Sequence, residues 1–284
     1  MKRLIVNADD FGFTPGVNAG IIHAYKTGIV TSTTIMANGE AFEDAVALAL
    51  NNPSLGVGCH LAIVGGRPVA RAEEVPSIVD DDGLLPSTLG QLMLRLARGS
   101  VKSDEIAREF RAQVMRVVGA GIIPTHFDSH KHSHVSPPVM KALALVAREF
   151  GVTSVRNPFE SVFDGGSLSS WVEVKQSALS AAIAPGALTF KRLVGQHRLK
   201  TPDRFLGVKR TGRLDSNAIR SMMKGLKEGT TELMCHPGFN DPGLENAHTR
   251  LKKERERELE ALTDPSLRQL AEESGIELIS YREL

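Results

Sequence analysis

Leu4-Ile5-Val6-Asn7-Ala8-Asp9-Asp10-Phe11-Gly12-Phe13-Thr14-Pro15 is the stretch that decides the fold. A short apolar run ends on two aspartates, and Thr14-Pro15 then supplies an N-cap followed by proline in the first helical turn. Val17, Ile21, Ala24 and Tyr25 fall on one helical face, and Gly28 gives the C-terminal stop. The stretch is strand, loop and helix, which is the repeating unit of a parallel sheet covered by helices.

The same alternation continues outward. Thr31 to Met36 reads as a second strand, and Phe42, Val46 and Ala49 mark the next helix. Gly56 to Ile63 is a third strand carrying His60. Residues 64–86, with Gly65-Gly66, several prolines and Asp80-Asp81-Asp82, read as an excursion or lid. Ser103 caps an amphipathic helix with Ile106, Phe110, Val114 and Val117 on one face, and this helix delivers the chain to Ile122-Ile123. Pro137-Pro138 opens a helix with Val139, Leu143, Val146 and Phe150 on one face, and Val152 to Val155 is another short strand. Residues 160–230 carry no clear pattern. A strand at Glu232 to Cys235 then ends in His236, followed by a highly charged helix, Arg250 to Leu262, and a last helix–strand pair ending at Ile279. The economical reading is one α/β domain over residues 1–284, built on a barrel-like parallel sheet.

The composition excludes several classes. The chain has 284 residues, 42% of them hydrophobic, which is enough for one large core or two smaller ones. Its 34 basic residues nearly cancel its 33 acidic ones, so a nucleic-acid partner is not expected. No segment approaches the roughly 20 apolar residues of a membrane span. The first residues turn polar too soon for a signal peptide. Two cysteines make no disulfide framework, so a soluble, cytoplasmic protein is expected.

Chemistry collects at four strand ends: Asp9-Asp10, His60, the run from His126 to His134, and His236. Barrels and open α/β sheets gather their reactive groups at such ends. In the run, His126, Asp128, His130, His132 and His134 occupy alternate positions, so an extended chain would point all five the same way. Asp9 or Asp10 could simply cap the next turn. Two crowded carboxylates also repel, and a cation relieves the repulsion. One could then ligate a metal while the other takes a proton from water. His60 or His236 alone would more often be a core histidine. Cys59 and Cys235 precede them and face the opposite way on a strand, so both read as small packed residues. A set of one carboxylate and two imidazoles leaves positions for water and substrate, and suits zinc, manganese, cobalt or magnesium. His23, His197 and His248 lack such company and read as surface or structural residues.

Asn7-Ala8-Asp9-Asp10-Phe11-Gly12, Gly58-Cys59-His60-Leu61, Thr125-His126-Phe127-Asp128-Ser129-His130 and Cys235-His236-Pro237-Gly238 together resemble the YdjC-like carbohydrate deacetylase family. That family includes chitooligosaccharide deacetylases and hopanoid-biosynthesis-associated deacetylases. The likeness spans nearly the whole chain, including Arg255-Glu256 and Glu258-Leu259. Gly66-Arg67-Pro68-Val69 and the segment from Glu74 to Asp80 look more like the hopanoid-associated branch. The resemblance implies a distorted (β/α) barrel of the glycoside hydrolase/deacetylase type. It implies one divalent ion, with magnesium or zinc the leading candidates, held by Asp10, His60 and His130. It assigns Asp9 as the catalytic carboxylate and His236 as the general acid. Lys131 departs from relatives that continue the histidine run.

On this reading the protein hydrolyses an N-acetyl group from an amino sugar, in an N-acetylglucosamine oligosaccharide or a glycosylated hopanoid lipid. Asp128 orients an imidazole, while His126, His132, His134 and Arg156 support the site or line the sugar cleft. A lipid substrate needs an apolar groove, for which Phe159, Val162 and Phe163 are candidates that could equally be core. The rival readings are a metal-dependent phosphoesterase, with Arg156 and Arg67 holding phosphate, and a glycan- or metal-binding protein without turnover. The sequence leaves the oligomeric state open between monomer and homodimer, related barrels often forming dimers.

Overall fold

A computed structural model describes residues 1–160 and 186–284 of the chain. The opening unit is β1 (Lys2–Phe11) and α1 (Pro15–Thr27), and Thr14 Oγ1 accepts the Val17 N–H as the proline-flanked sequence requires. There follow β2 (Ser32–Ile35), α2 (Phe42–Leu50) and β3 (Gly56–Leu61). After the excursion come α3 (Leu89–Ala97), α4 (Ser103–Gly119), β4 (Phe127–Ser129) and α5 (Pro137–Glu149). The second half holds α6 (Gly186–Gln196), β5 (Arg204–Leu206), α7 (Ser216–Lys224), β6 (Gly229–Cys235), α8 (Pro242–Asn246), α9 (Lys253–Leu262), α10 (Ser266–Glu273) and β7 (Ile276–Ile279). No helix among the described residues is long and apolar enough to cross a membrane.

The strands form one parallel sheet in the order β4-β3-β2-β1-β6-β5. β1 is its centre, with β6 along residues 2–8, β7 along residues 2–5 and β2 along residues 7–11. Beyond β4, parallel bridges join Phe127 to Val155 and Ser154 to Lys200, just ahead of β5. The sheet therefore curls nearly back on itself as a distorted barrel. The strand expected at Val152 to Val155 is present only as these two bridges. Two smaller corrections concern α4 and α9. Lys102 rather than Ser103 stands at the α4 N-cap and makes no side-chain cap, and α9 begins at Lys253.

Residue alternation sorts the strand side chains into two shells. Leu4, Val6, Ala8, Val57, Cys59, Leu61, Phe127, Leu233 and Cys235 pack outward into the main core beneath the helices. Both cysteines are free and buried there. The interior shell begins at the barrel floor with Ile5, Ile279 and Tyr281. Above them the interior positions turn polar.

Residues 64–86 are fastened to α4 by buried acids. Glu109 accepts the Val69 and Ala70 N–H groups at 2.8 Å each, and Glu105 accepts that of Ser77 at 2.5 Å. Lys131 reaches the far end of the excursion, donating to the Ser87 carbonyl at 3.1 Å.

Candidate metal-binding and catalytic site

Alternation along β1 places Asn7 and Asp9 in the barrel interior and would send Asp10 outward. It does not, because Asp10 adopts φ +69°, in the left-handed region that a non-glycine residue occupies at a cost. The β1–β2 register breaks between Ala8 and Phe11 at the same point. The twist swings the Asp10 carboxylate back toward the mouth, so two adjacent aspartates serve one site.

Asp10 Oδ1 lies 3.5 Å from His60 Nε2 and 3.3 Å from His130 Nδ1, and the two nitrogens are 3.2 Å apart. Donor atoms around an ion with bond lengths of about 2.0–2.1 Å stand roughly 3.3–3.4 Å apart in a tetrahedral arrangement. These three residues therefore fit a divalent ion, with one face of its coordination sphere left for other ligands. Asp128 supports the set: its Oδ1 accepts from His60 Nδ1 at 2.8 Å, which leaves Nε2 directed at the triangle. Thr34 Oγ1 bridges the same pair, 3.2 Å from His60 Nδ1 and from Asp128 Oδ2.

Arg156 lies beneath, fully buried. Its guanidinium grips both oxygens of Asp9 at 2.6 Å, Asp128 Oδ2 at 2.6 Å and Glu232 Oε1 at 2.8 Å. Asn7 Nδ2 adds a 3.0 Å bond to Asp9, and Tyr281 donates to Glu232 at 2.5 Å. Burial raises the Asp9 carboxyl, but Arg156 overrides it and holds the group well below the usual carboxylate range. Glu232 responds the other way: burial outweighs Arg156 and pushes it up to about 7. Among the histidines, burial lowers His60 but Asp128, Asp9 and Asp10 outweigh it and lift the group to about 9. A metal taking Nε2 must therefore displace a proton. His236 sits just past β6, and burial brings it down to about 4 against the pull of Asp10 and Asp9.

The run from His126 to His134 is not one extended face. Only 127–129 are strand, and residues 130–135 wind into a 3-10 turn in which Lys131 and His132 both have φ 53°. His126 and Asp128 share the interior, as alternation requires, while His130 reaches the triangle from the turn. His126 lies deeper, stacked on the Tyr281 ring at 3.6 Å, and packs against Gly58. His134 ties Ser129 Oγ, at 2.5 Å from its Nδ1, to the Arg156 carbonyl, at 3.3 Å from its Nε2. His132 meets the rings of His134 and Phe205, and its buried Nδ1 has no partner among the described residues. Arg156 is engaged with carboxylates rather than presented to a ligand, and Arg67 is exposed on the excursion. Phe159 packs on Phe190 with ring centroids 5.5 Å apart; Val162 and Phe163 lie outside the described residues.

Two groups that the resemblance spans were given no role in the site by the sequence reading. Arg255 Nη2 bonds Asp10 Oδ2 at 2.6 Å, and Glu258 accepts the His236 N–H at 2.7 Å. Their signal was available: with Leu259 and Leu262 they occupy i, i+3, i+4 and i+7 of α9, so two charges stand in its buried stripe.

Residues 3–273 match the model of the YdjC-like protein family. The chain belongs to that family. This YdjC-like protein is 36% identical to a carbohydrate deacetylase of Geobacillus stearothermophilus, over 99% of this chain and 98% of that one. It is 35% identical to a chitooligosaccharide deacetylase of Salmonella heidelberg strain SL476, over 97% and 96%. Among solved structures it resembles a candidate cellobiose-phosphate cleavage protein of Enterococcus faecalis V583, with TM-score 0.80 and 29% identity over 99% and 98% of the two chains.

Proposed function

We propose that this YdjC-like protein is a metal-dependent carbohydrate deacetylase that hydrolyses the N-acetyl group of an N-acetylglucosamine-containing saccharide. The observation that carries this is the donor triangle of Asp10, His60 and His130 with the anionic Asp9 beside it, in a chain over a third identical to proteins named carbohydrate deacetylase. The donor set of one carboxylate oxygen and two imidazole nitrogens suits zinc, with magnesium the alternative.

A divalent ion held there would polarise the acetyl carbonyl and make water more acidic. The rest is the work of the chain. Asp9, fixed in one orientation by Arg156 and Asn7, accepts the proton of the attacking water. His236 delivers a proton to the departing amine nitrogen. Burial keeps its imidazole neutral at rest, so the proton that Asp9 takes from the water must pass to His236 before His236 can give it to the amine. Asp128 keeps His60 in the required tautomer.

Acetate release tests the proposal, using N-acetylglucosamine oligomers and an N-acetylglucosaminyl lipid with zinc, magnesium, manganese or cobalt added. Release from the oligomers alone assigns a saccharide acceptor, and release from the lipid alone assigns the hopanoid-type acceptor. A protein that binds metal yet releases acetate from neither would refute the deacetylase reading.

A further inference from the structure

The two lesser-known anchors of the site lie on one helix turn. Arg255 and Glu258 are three residues apart on α9, both buried, and each reaches a different piece of the site. Arg255 bonds the Asp10 oxygen that faces away from the triangle, Oδ2, leaving Oδ1 for His60 and His130. Its Nε donates to the Leu251 carbonyl at 3.3 Å, and its guanidinium lies 5.7 Å from the centre of the Phe13 ring. The arginine is thus held from its own side before it meets Asp10.

The same helix grips the strand-end segment His236–Gly238 at both ends. Glu258 Oε2 accepts the His236 N–H and its Oε1 the Gly212 N–H, both at 2.7 Å. The Arg255 carbonyl accepts the Gly238 N–H at 3.3 Å. Gly238 lies so close that a Cβ there would stand 3.3 Å from Arg255 Cδ. Three contacts from one helical turn therefore reach the Asp10 carboxylate and the backbone of the segment that carries His236.

We propose that α9 is the positioning element of the site. Arg255 confines Asp10 to single-oxygen ligation in its left-handed conformation, and Glu258 sets where His236 stands at the reacting group. The proposal rests on the deacetylase reading, because it takes Asp10 as a ligand and His236 as a proton donor. Arg255 and Glu258 touch neither substrate nor reacting atoms. The positioning role also predicts a division of effects: Arg255 governs metal affinity, and Glu258 governs turnover.

Zn2+ affinity, measured by competition with a chromophoric chelator in the absence of substrate, separates positioning from simple charge balance. A counter-ion role predicts that Arg255→Met binds Zn2+ more tightly, because a neighbouring positive charge has gone, and that Arg255→Lys leaves affinity unchanged. Positioning predicts that both variants bind about 10–100-fold more weakly. Glu258→Gln has one acceptor oxygen where two backbone N–H groups need partners, so it should bind Zn2+ like the wild type while kcat falls and KM holds. Unchanged or tighter Zn2+ binding by the Arg255 variants overturns the proposal, as does weaker Zn2+ binding or unchanged kcat in Glu258→Gln. If Arg255→Met shows no cooperative melt, Arg255→Lys decides. Wild type that binds Zn2+ but releases no acetate sinks the deacetylase reading and leaves the Arg255 contrast standing as its own test. Wild type that binds none of zinc, magnesium, manganese or cobalt sinks both, and if it binds one of these other than zinc the Arg255 contrast is read with that ion.

Discussion

Replacing Arg156 with Met removes the cation shared by Asp9, Asp128 and Glu232 while keeping much of the side chain's bulk. All three carboxylates are buried, so each must stay ionised without its partner or take up a proton. Breaking a buried ion pair by deleting one member costs about 3–5 kcal/mol. At about 2–4 °C per kcal/mol for chains of this size class, Tm should fall by about 6–20 °C at neutral pH. The pH dependence identifies the cause. In the wild type Asp9 titrates well below its ordinary 3.8, so its contribution to stability is fully present above that value and is lost as pH falls through the depressed one. In the variant burial acts on Asp9 without Arg156 and raises it. The folded state then holds more protons than the unfolded one from about pH 4 upward, and stability falls as pH rises. Thermal melts of both proteins between about pH 4.5 and 7.5 should show a Tm gap that widens steadily with pH. A gap that is constant across this range, or a Tm shift under about 2 °C, would refute the account of Arg156 as the shared counter-ion.

Two further outcomes follow from the packing. Gly58→Ala would put a Cβ 2.5 Å from the His126 ring and 2.6 Å from its carbonyl oxygen, and Tyr281, stacked 3.6 Å beyond, blocks retreat. A loss of about 1–3 kcal/mol is expected in urea unfolding, with weaker Zn2+ binding because His60 and Asp128 lie two residues along the same strands; wild-type values for both would contradict it. Glu109→Ala strips the acceptor from the Val69 and Ala70 N–H groups and from Gln113 Nε2. About 1–3 kcal/mol of local stability should go with an orphaned buried donor, read as faster proteolysis within residues 65–86, and unchanged cleavage there would count against the anchoring role.

The sequence made the architecture legible wherever local rules decide it. Thr14-Pro15 and Gly28 bound α1, and period-two patterning separates Cys59 and Cys235 from His60 and His236. The strand-end residues Asp10, His60 and His130 are brought together. What could not be read depends on single dihedral angles or on partners far along the chain. Asp9 and Asp10 share a site only because Asp10 is left-handed, and no spacing rule predicts that. The alternation from His126 to His134 breaks at His130 because Lys131 and His132 turn left-handed, a conformation uncommon for any residue but glycine. The resemblance spans Arg255 but gives it no role, because its partner, Asp10, lies 245 residues away.

The central position of β1 has a consequence for how the protein is made. Its residues 7–11 can pair with β2 almost as soon as both are synthesised, but residues 2–5 have β6 on one edge and β7 on the other. Those partners begin at Gly229 and Ile276, so at about 5–20 residues per second the ribosome delivers the first of them on the order of ten to forty-five seconds after Lys2. For that interval Leu4-Ile5 stands with neither native neighbour in existence. The order of synthesis thus runs against the order of assembly, and the strand on which the barrel is centred is also the one that waits longest to be enclosed.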